Sequence, residues 1–182
     1  MPPPAYPPPP SHPPPPAHPP PQAATSSLRV NRAFLRSFLG VLRVLQLLAG
    51  AALWITIACK KYEGAIHFVL FVAVLFWLLT IALYLLTLLD RQDLVPLVGG
   101  DRWLSTNAAH DTLATCLQAA AAGIMVHKTL KHEYCSVVSY KYDCLYHIYL
   151  AASFFAGLCC LLYLLSAVAC FCKKCRGSQG IL

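Results

Sequence analysis

Two long apolar blocks constrain this chain more than anything else in it. Residues 68–89 run 22 positions without a charge, and residues 145–172 run 28. A helix needs about 20 apolar residues to cross the hydrocarbon core. The rest of the chain agrees: of 182 residues, 58% are hydrophobic and 12% charged, too apolar for an ordinary water-soluble domain. Inside lipid a backbone must satisfy its own N–H and C=O groups, which helices do locally. The sequence therefore reads as an all-α membrane protein.

Four spans are expected, at about 38–59, 67–89, 103–126 and 145–170. The first must begin before Arg43, because residues 44–59 alone number only 16. Arg43 is expected to reach toward the headgroups along its own stem. The intervening stretches, 60–65, 90–102 and 127–144, read as loops, and Pro96 and Gly99-Gly100 punctuate the middle one. These four spans make one domain over residues 28–172, which opens on a basic lead-in holding Arg29, Arg32 and Arg36. A short basic tail occupies 173–182. Residues 1–27 form a Pro-rich segment, with 14 prolines in the first 21 positions. Such a segment cannot bury a core and is expected to be disordered or polyproline II. It also lacks the apolar region of a secretory signal, so the first span is expected to act as the insertion signal.

An even number of spans puts both termini on one side of the membrane. Nine Lys and Arg residues then lie on the side of the termini and five on the other. That bias places both ends in the cytosol. The net charge of +7 flanks the apolar blocks, where it meets lipid headgroups, so nucleic acid is not an expected partner. Five tyrosines, Tyr134, Tyr140, Tyr142, Tyr146 and Tyr149, surround the outer end of the fourth span as an interfacial belt would.

The stretches "RAFLRSFLGVLRVLQLLAGAALWITIA" (32–58), "HFVLFVAVLFWLLTIALYLLTLL" (67–89) and "DRWLSTNAAHDTLA" (101–114) resemble the MARVEL domain family. The resemblance covers about residues 32–176 and leaves the Pro-rich tail outside. It implies a four-helix transmembrane bundle in the cell membrane with cytoplasmic ends. It also implies non-enzymatic work in membrane apposition, cell junctions or vesicle traffic, with no cofactor. On the same basis alone come association with the cytoskeleton, presence in the nucleus, and restraint of cell proliferation and migration.

The third span is the most polar. At about 100° per residue, Asn107, Asp111 and Gln118 fall within about 40° of one another, with His110 beside them. Thr112, Cys116, Ala119 and Gly123 make a second, small-residue face. The helix is expected to sit inside the bundle with neighbours on both faces, small residues allowing close approach.

An ionised Asp in a membrane needs a partner. Asp111 lies eight residues beyond Trp103, about 12 Å along a helix, and Arg43 lies six beyond Ser37, about 9 Å from the same side. The matched depth predicts an Arg43–Asp111 pair. Gln46, Asn107, His110 and Gln118 are expected to complete a buried polar cluster. A proton or ion relay through His110 and Asp111 is the sharper alternative. The outer half of that span, "AAAAGIMV", offers it no further ionisable group. A metal site is not expected, since His110 and Asp111 are adjacent on a helix and point apart.

Cys135 and Cys144 enclose eight residues of the second outer loop, an oxidising environment, and are a candidate disulfide. Cys59 could compete for either. Cys170, Cys172 and Cys175 end the fourth span beside basic residues, the setting of S-palmitoylation. In the tail, "PPAY" places Pro3, Pro4 and Tyr6 in the PPxY form of WW-domain ligands, and "YPPPP" resembles EVH1 ligands.

No nucleophile–base pair, phosphate loop or carboxylate dyad stands at a surface site, so an enzyme is not expected. The expected function is non-enzymatic organisation of membranes or membrane–cytoskeleton contacts. Its partners are membrane lipids and other membrane proteins, or a second copy, met through small-residue faces. A claudin-like adhesion role is the third reading, and the first outer loop is too short for the extracellular sheet it needs.

Overall fold

The computed structural model describes Met1 and residues 31–59, 64–89, 102–131 and 145–177. Among these residues the fold is all helix: α1 (Arg32–Arg36), α2 (Phe38–Ala58), α3 (Ile66–Leu88), α4 (Trp103–Lys131) and α5 (Tyr146–Cys175). Three of them, α2, α3 and α5, are long and apolar enough to cross a membrane. With 29 residues α4 has the length, but Asn107, His110, Asp111 and Gln118 lower its apolarity.

The four long helices close into a ring. Each of α2, α3, α4 and α5 packs on the next in chain order, and α5 returns to α2. The α4–α5 contact is the most extensive. Its cause is side-chain size: Ala114 and Ala121 on α4 and Ala152 and Ala156 on α5 are fully buried in one core. Small side chains let helix backbones approach closely, and in a membrane that packing replaces the hydrophobic drive. Larger residues, Leu53, Val69, Phe76 and Met125, fill the remainder of that core. Outward faces carry Leu48, Phe71, Leu113, Phe154 and Leu161, each more than half exposed. On helices of this apolarity such faces suit lipid.

The elements differ from the sequence expectation at their ends. The lead-in is not plain chain: residues 32–36 form α1. Asn31 Oδ1 accepts from Phe34 N–H at 3.0 Å, which caps its start. Ser37 then turns the chain: its hydroxyl donates to Phe34 O at 2.7 Å and caps α2 by accepting from Gly40 N–H at 3.1 Å. A Cβ on Gly40 would stand 2.0 Å from Phe34 O, so this tight turn requires glycine there. Helix α4, where a span is expected over about 103–126, continues to Lys131. "HKTLK" holds no helix breaker, Thr129 is buried, and Lys128 and Lys131 suit the negative end of the helix dipole. Helix α5 likewise runs through Lys173 and Lys174 to Cys175, so those lysines stand on a helix and not in a tail. Gly177, at φ +71°, ends it.

The second face of α4 also departs from expectation. Thr112, Cys116, Ala119 and Gly123 are exposed, and no described residue packs over Gly123. Helical periodicity gives a residue's angle around the axis, but not which angles a four-helix ring fills.

Candidate functional site

The polar residues of α4 meet those of α2 and α5 inside the bundle. Arg43 and Asp111 are 97% and fully buried. Arg43 Nη1 donates to Asp111 Oδ1 at 2.6 Å and Nη2 to Oδ2 at 3.0 Å, a two-pronged ion pair. The other two terminal N–H groups go to Gln46 Oε1 at 2.8 Å and Asn107 Oδ1 at 2.7 Å. Helical spacing explains the first, since Gln46 stands one turn beyond Arg43 on α2. The amides are anchored in turn. Gln46 Nε2 donates to Leu162 O of α5 at 3.2 Å, and Asn107 Nδ2 to Trp103 O at 2.9 Å.

Asp111 has two further partners. Ser166 Oγ of α5 donates to Oδ2 at 2.6 Å, and His110 Nδ1 stands 2.9 Å from Oδ1. A carboxylate has about four lone-pair sites, and all are occupied. Since the carboxylate only accepts, the His110 contact puts the imidazole hydrogen on Nδ1. His110 Nε2 is buried without a hydrogen-bond partner among the described residues, and the ring packs in a triangle with Phe76 of α3 and Tyr163 of α5, centroids 5.5 and 5.9 Å away. Tyr163 Oη and Thr80 Oγ1 of α3 are 2.7 Å apart, so this layer of the bundle touches all four long helices.

The structure thus brings together Arg43, Gln46, Asn107, His110 and Asp111. Gln118 stands apart: it is buried, but its Oε1 has no hydrogen-bond partner among the described residues and it lies two turns farther along α4. His110 and Asp111 do not point apart. The imidazole folds back along its own helix to reach the neighbouring carboxylate, which a purely radial picture of side chains misses. Sequence reasoning also overlooked Ser166. The available signal was depth, since Ser166 precedes Lys173 by seven residues, about 10 Å along a helix.

The cysteines divide by exposure. Cys170 is fully buried in a cluster with Phe34, Leu39, Leu104 and Ala108, whereas Cys172 and Cys175 are exposed. Only the latter two therefore present their thiols to an acyl donor. Cys59 is exposed and has no disulfide partner among the described residues. Cys135, Cys144, Pro3, Pro4 and Tyr6 lie outside the described residues.

Every residue of the network falls inside a family match. The profile of the MARVEL family, described as a membrane-associating domain, matches residues 34–169. MARVEL domain-containing protein 1 of Danio rerio is 60% identical over 149 residues, covering 82% of this chain and 92% of that protein. Plasmolipin of Rattus norvegicus is 34% identical over 149 residues, covering 80% and 76%. MARVEL domain-containing protein 1 of Xenopus laevis is 29% identical over 144 residues, covering 77% and 78%. No solved structure matches the chain.

Proposed function

This chain belongs to the MARVEL family of membrane-associating domains, and from that premise we propose that it is a non-enzymatic, four-span organiser of membranes or membrane–cytoskeleton contacts. In this reading α4 is a true span, with both termini in the cytosol. Its length and its place in the helix ring support the first statement. The nine-to-five distribution of basic residues supports the second.

The observation that carries the reading is the saturation of Asp111. Its carboxylate is held by Arg43, Ser166 and His110, and the Arg43 fork is held by Gln46 and Asn107. A group so fully engaged is a latch between helices, with no lone pair left for substrate or for a travelling proton. Contact with other molecules then falls to the outer surfaces. The small face Thr112, Cys116, Ala119 and Gly123 serves lateral association with another membrane protein or a second copy. Pro3, Pro4 and Tyr6 serve WW or EVH1 domains, Cys172 and Cys175 serve acylation, and Cys135 and Cys144 form a disulfide in the second outer loop. Cytoskeletal association and restraint of proliferation and migration belong to this proposal by family likeness.

Proximity labelling from the N-terminus tests it, with the full chain and with residues 1–27 removed. Cytoskeletal and membrane-organising neighbours that depend on the tail are the expected result. Neighbours unchanged by the deletion would reject tail docking. Glycosylation acceptors placed in 127–144 and in 90–101 test the topology, with only the first set modified if α4 spans.

A further inference from the structure

One end of the bundle gathers basic side chains from three segments. Phe34 of α1, Leu39 of α2, Leu104 and Ala108 of α4, and Cys170 of α5 form a single buried cluster. Around it stand Arg32 and Arg36 of α1, Arg102 at the start of α4, and Lys174 and Arg176 at the end of α5, all exposed. Lys174 Nζ donates to Ser105 Oγ at 3.1 Å, which ties the α5 end to α4. Among the described residues, 32–36, 102 and 173–176 hold six basic side chains and no acidic one.

Helix α1 is fixed in place rather than trailing. Asn31 N–H donates to Leu88 O of α3 at 2.8 Å, and the Phe34 ring lies 5.9 Å from Tyr84. With Phe34 turned inward, Arg32, Leu35 and Arg36 face outward. The exposed apolar residues Leu35, Phe38 and Phe171 stand at the same end. This surface therefore offers cations and apolar side chains together. Its complement is a molecule with phosphate at one end and acyl chains at the other.

We infer that this end of the bundle binds anionic phospholipids, with α1 as the strap that holds Arg32 and Arg36 beside Arg102, Lys174 and Arg176. The inference rests on the four-span reading, which puts this end at a membrane surface. A basic side chain near an anionic bilayer contributes roughly fivefold in affinity. A surface built from several of them selects headgroups by charge, and the strap adds a requirement for position.

Native mass spectrometry of the full chain in detergent is the test. The added probes are a phosphoinositide bisphosphate, phosphatidylserine, phosphatidylcholine and soluble inositol trisphosphate. Both anionic lipids are expected to be retained over phosphatidylcholine, the bisphosphate most. Arg32→Gln with Arg36→Gln should lower retention by about 25-fold, from two charges at roughly fivefold each. Lys174→Gln with Arg176→Gln should do the same, and Arg32→Lys with Arg36→Lys should keep it. Phe34→Ala and Asn31→Ala leave every charge in place but loosen the strap, and both should weaken binding while the helical circular dichroism is kept. Equal retention of phosphatidylcholine, or indifference to the charge variants, overturns the inference. Soluble inositol trisphosphate bound as well as the lipid overturns the lipid as ligand. Binding unchanged in both strap variants overturns the role of α1. Loss of lipid selectivity with the glycosylation pattern intact refutes this inference alone, whereas a wrong glycosylation pattern refutes the topology beneath it.

Discussion

Ser166 Oγ and Arg43 Nη2 converge on the same oxygen of Asp111, at 2.6 and 3.0 Å. One carboxylate on α4 thereby holds α2 and α5 together. Replacing Ser166 by Ala removes the α5 share and leaves the ion pair. The expected loss is about 1–2 kcal/mol of bundle stability, between the values for hydrogen bonds to charged groups and those measured within membranes. Steric-trapping or detergent-denaturation measurements on the reconstituted chain would read it. A loss as large as that of Asp111→Asn would mean that Ser166 does more than donate one bond.

The ion pair itself should show the asymmetry of buried charges. Arg43→Met or Asp111→Leu alone strands a charge among apolar helices and should cost roughly 3–5 kcal/mol. The double variant strands none and should be distinctly milder than either single change. Arg43→Asp with Asp111→Arg should recover part of the surface delivery that each single swap loses. A double swap no better than the singles would show that the two side chains do not act as a pair in the cell.

Helix α4 should depend on company to enter the membrane. An Asp at the centre of a span opposes insertion by about 2.5–3.5 kcal/mol, and its neutralising partners are on other helices. Residues 102–131 placed alone in a glycosylation-reporter host should insert poorly. Asp111→Leu should raise insertion of that isolated segment severalfold, while destabilising the whole chain by freeing Arg43. Efficient insertion of the unaltered isolated segment would contradict this account.

The thiols at the end of α5 should react in two classes. Cys172 and Cys175 are exposed, and Cys170 is fully buried. Hydroxylamine-sensitive acyl label should persist in Cys170→Ala and vanish in the Cys172→Ala, Cys175→Ala double variant. Label that survives the double variant would place acylation elsewhere.

The sequence reveals the latch only in part, and the reasons are geometric. Arg43 and Asp111 can be matched because charge in a membrane is rare and each sits at a countable depth from its helix's start. Gln46 and Asn107 follow from helical spacing to those two. Gln118 shares their angle on the wheel, but it stands about 10 Å farther along the axis. Angle without height therefore groups it wrongly. Ser166 is hard to single out, because a hydroxyl in an apolar helix more often bonds its own backbone, as Thr80, Thr112 and Thr115 also do here. Helix α1 is too short for a periodicity to register. Its existence rests on the Asn31 and Ser37 caps and on Phe34 finding the bundle's end.

Chain order gives the latch a history. Asp111 is synthesised 55 residues before Ser166. At roughly 5–20 residues per second, the carboxylate spends about 3–11 s with Arg43 available and its α5 partner not yet made. The remainder of α4 is made in the first part of that interval, and α5 begins only toward its end. Asp111 Oδ2 thus acquires its second donor only with the final helix, as Gln46 Nε2 acquires its acceptor, Leu162 O.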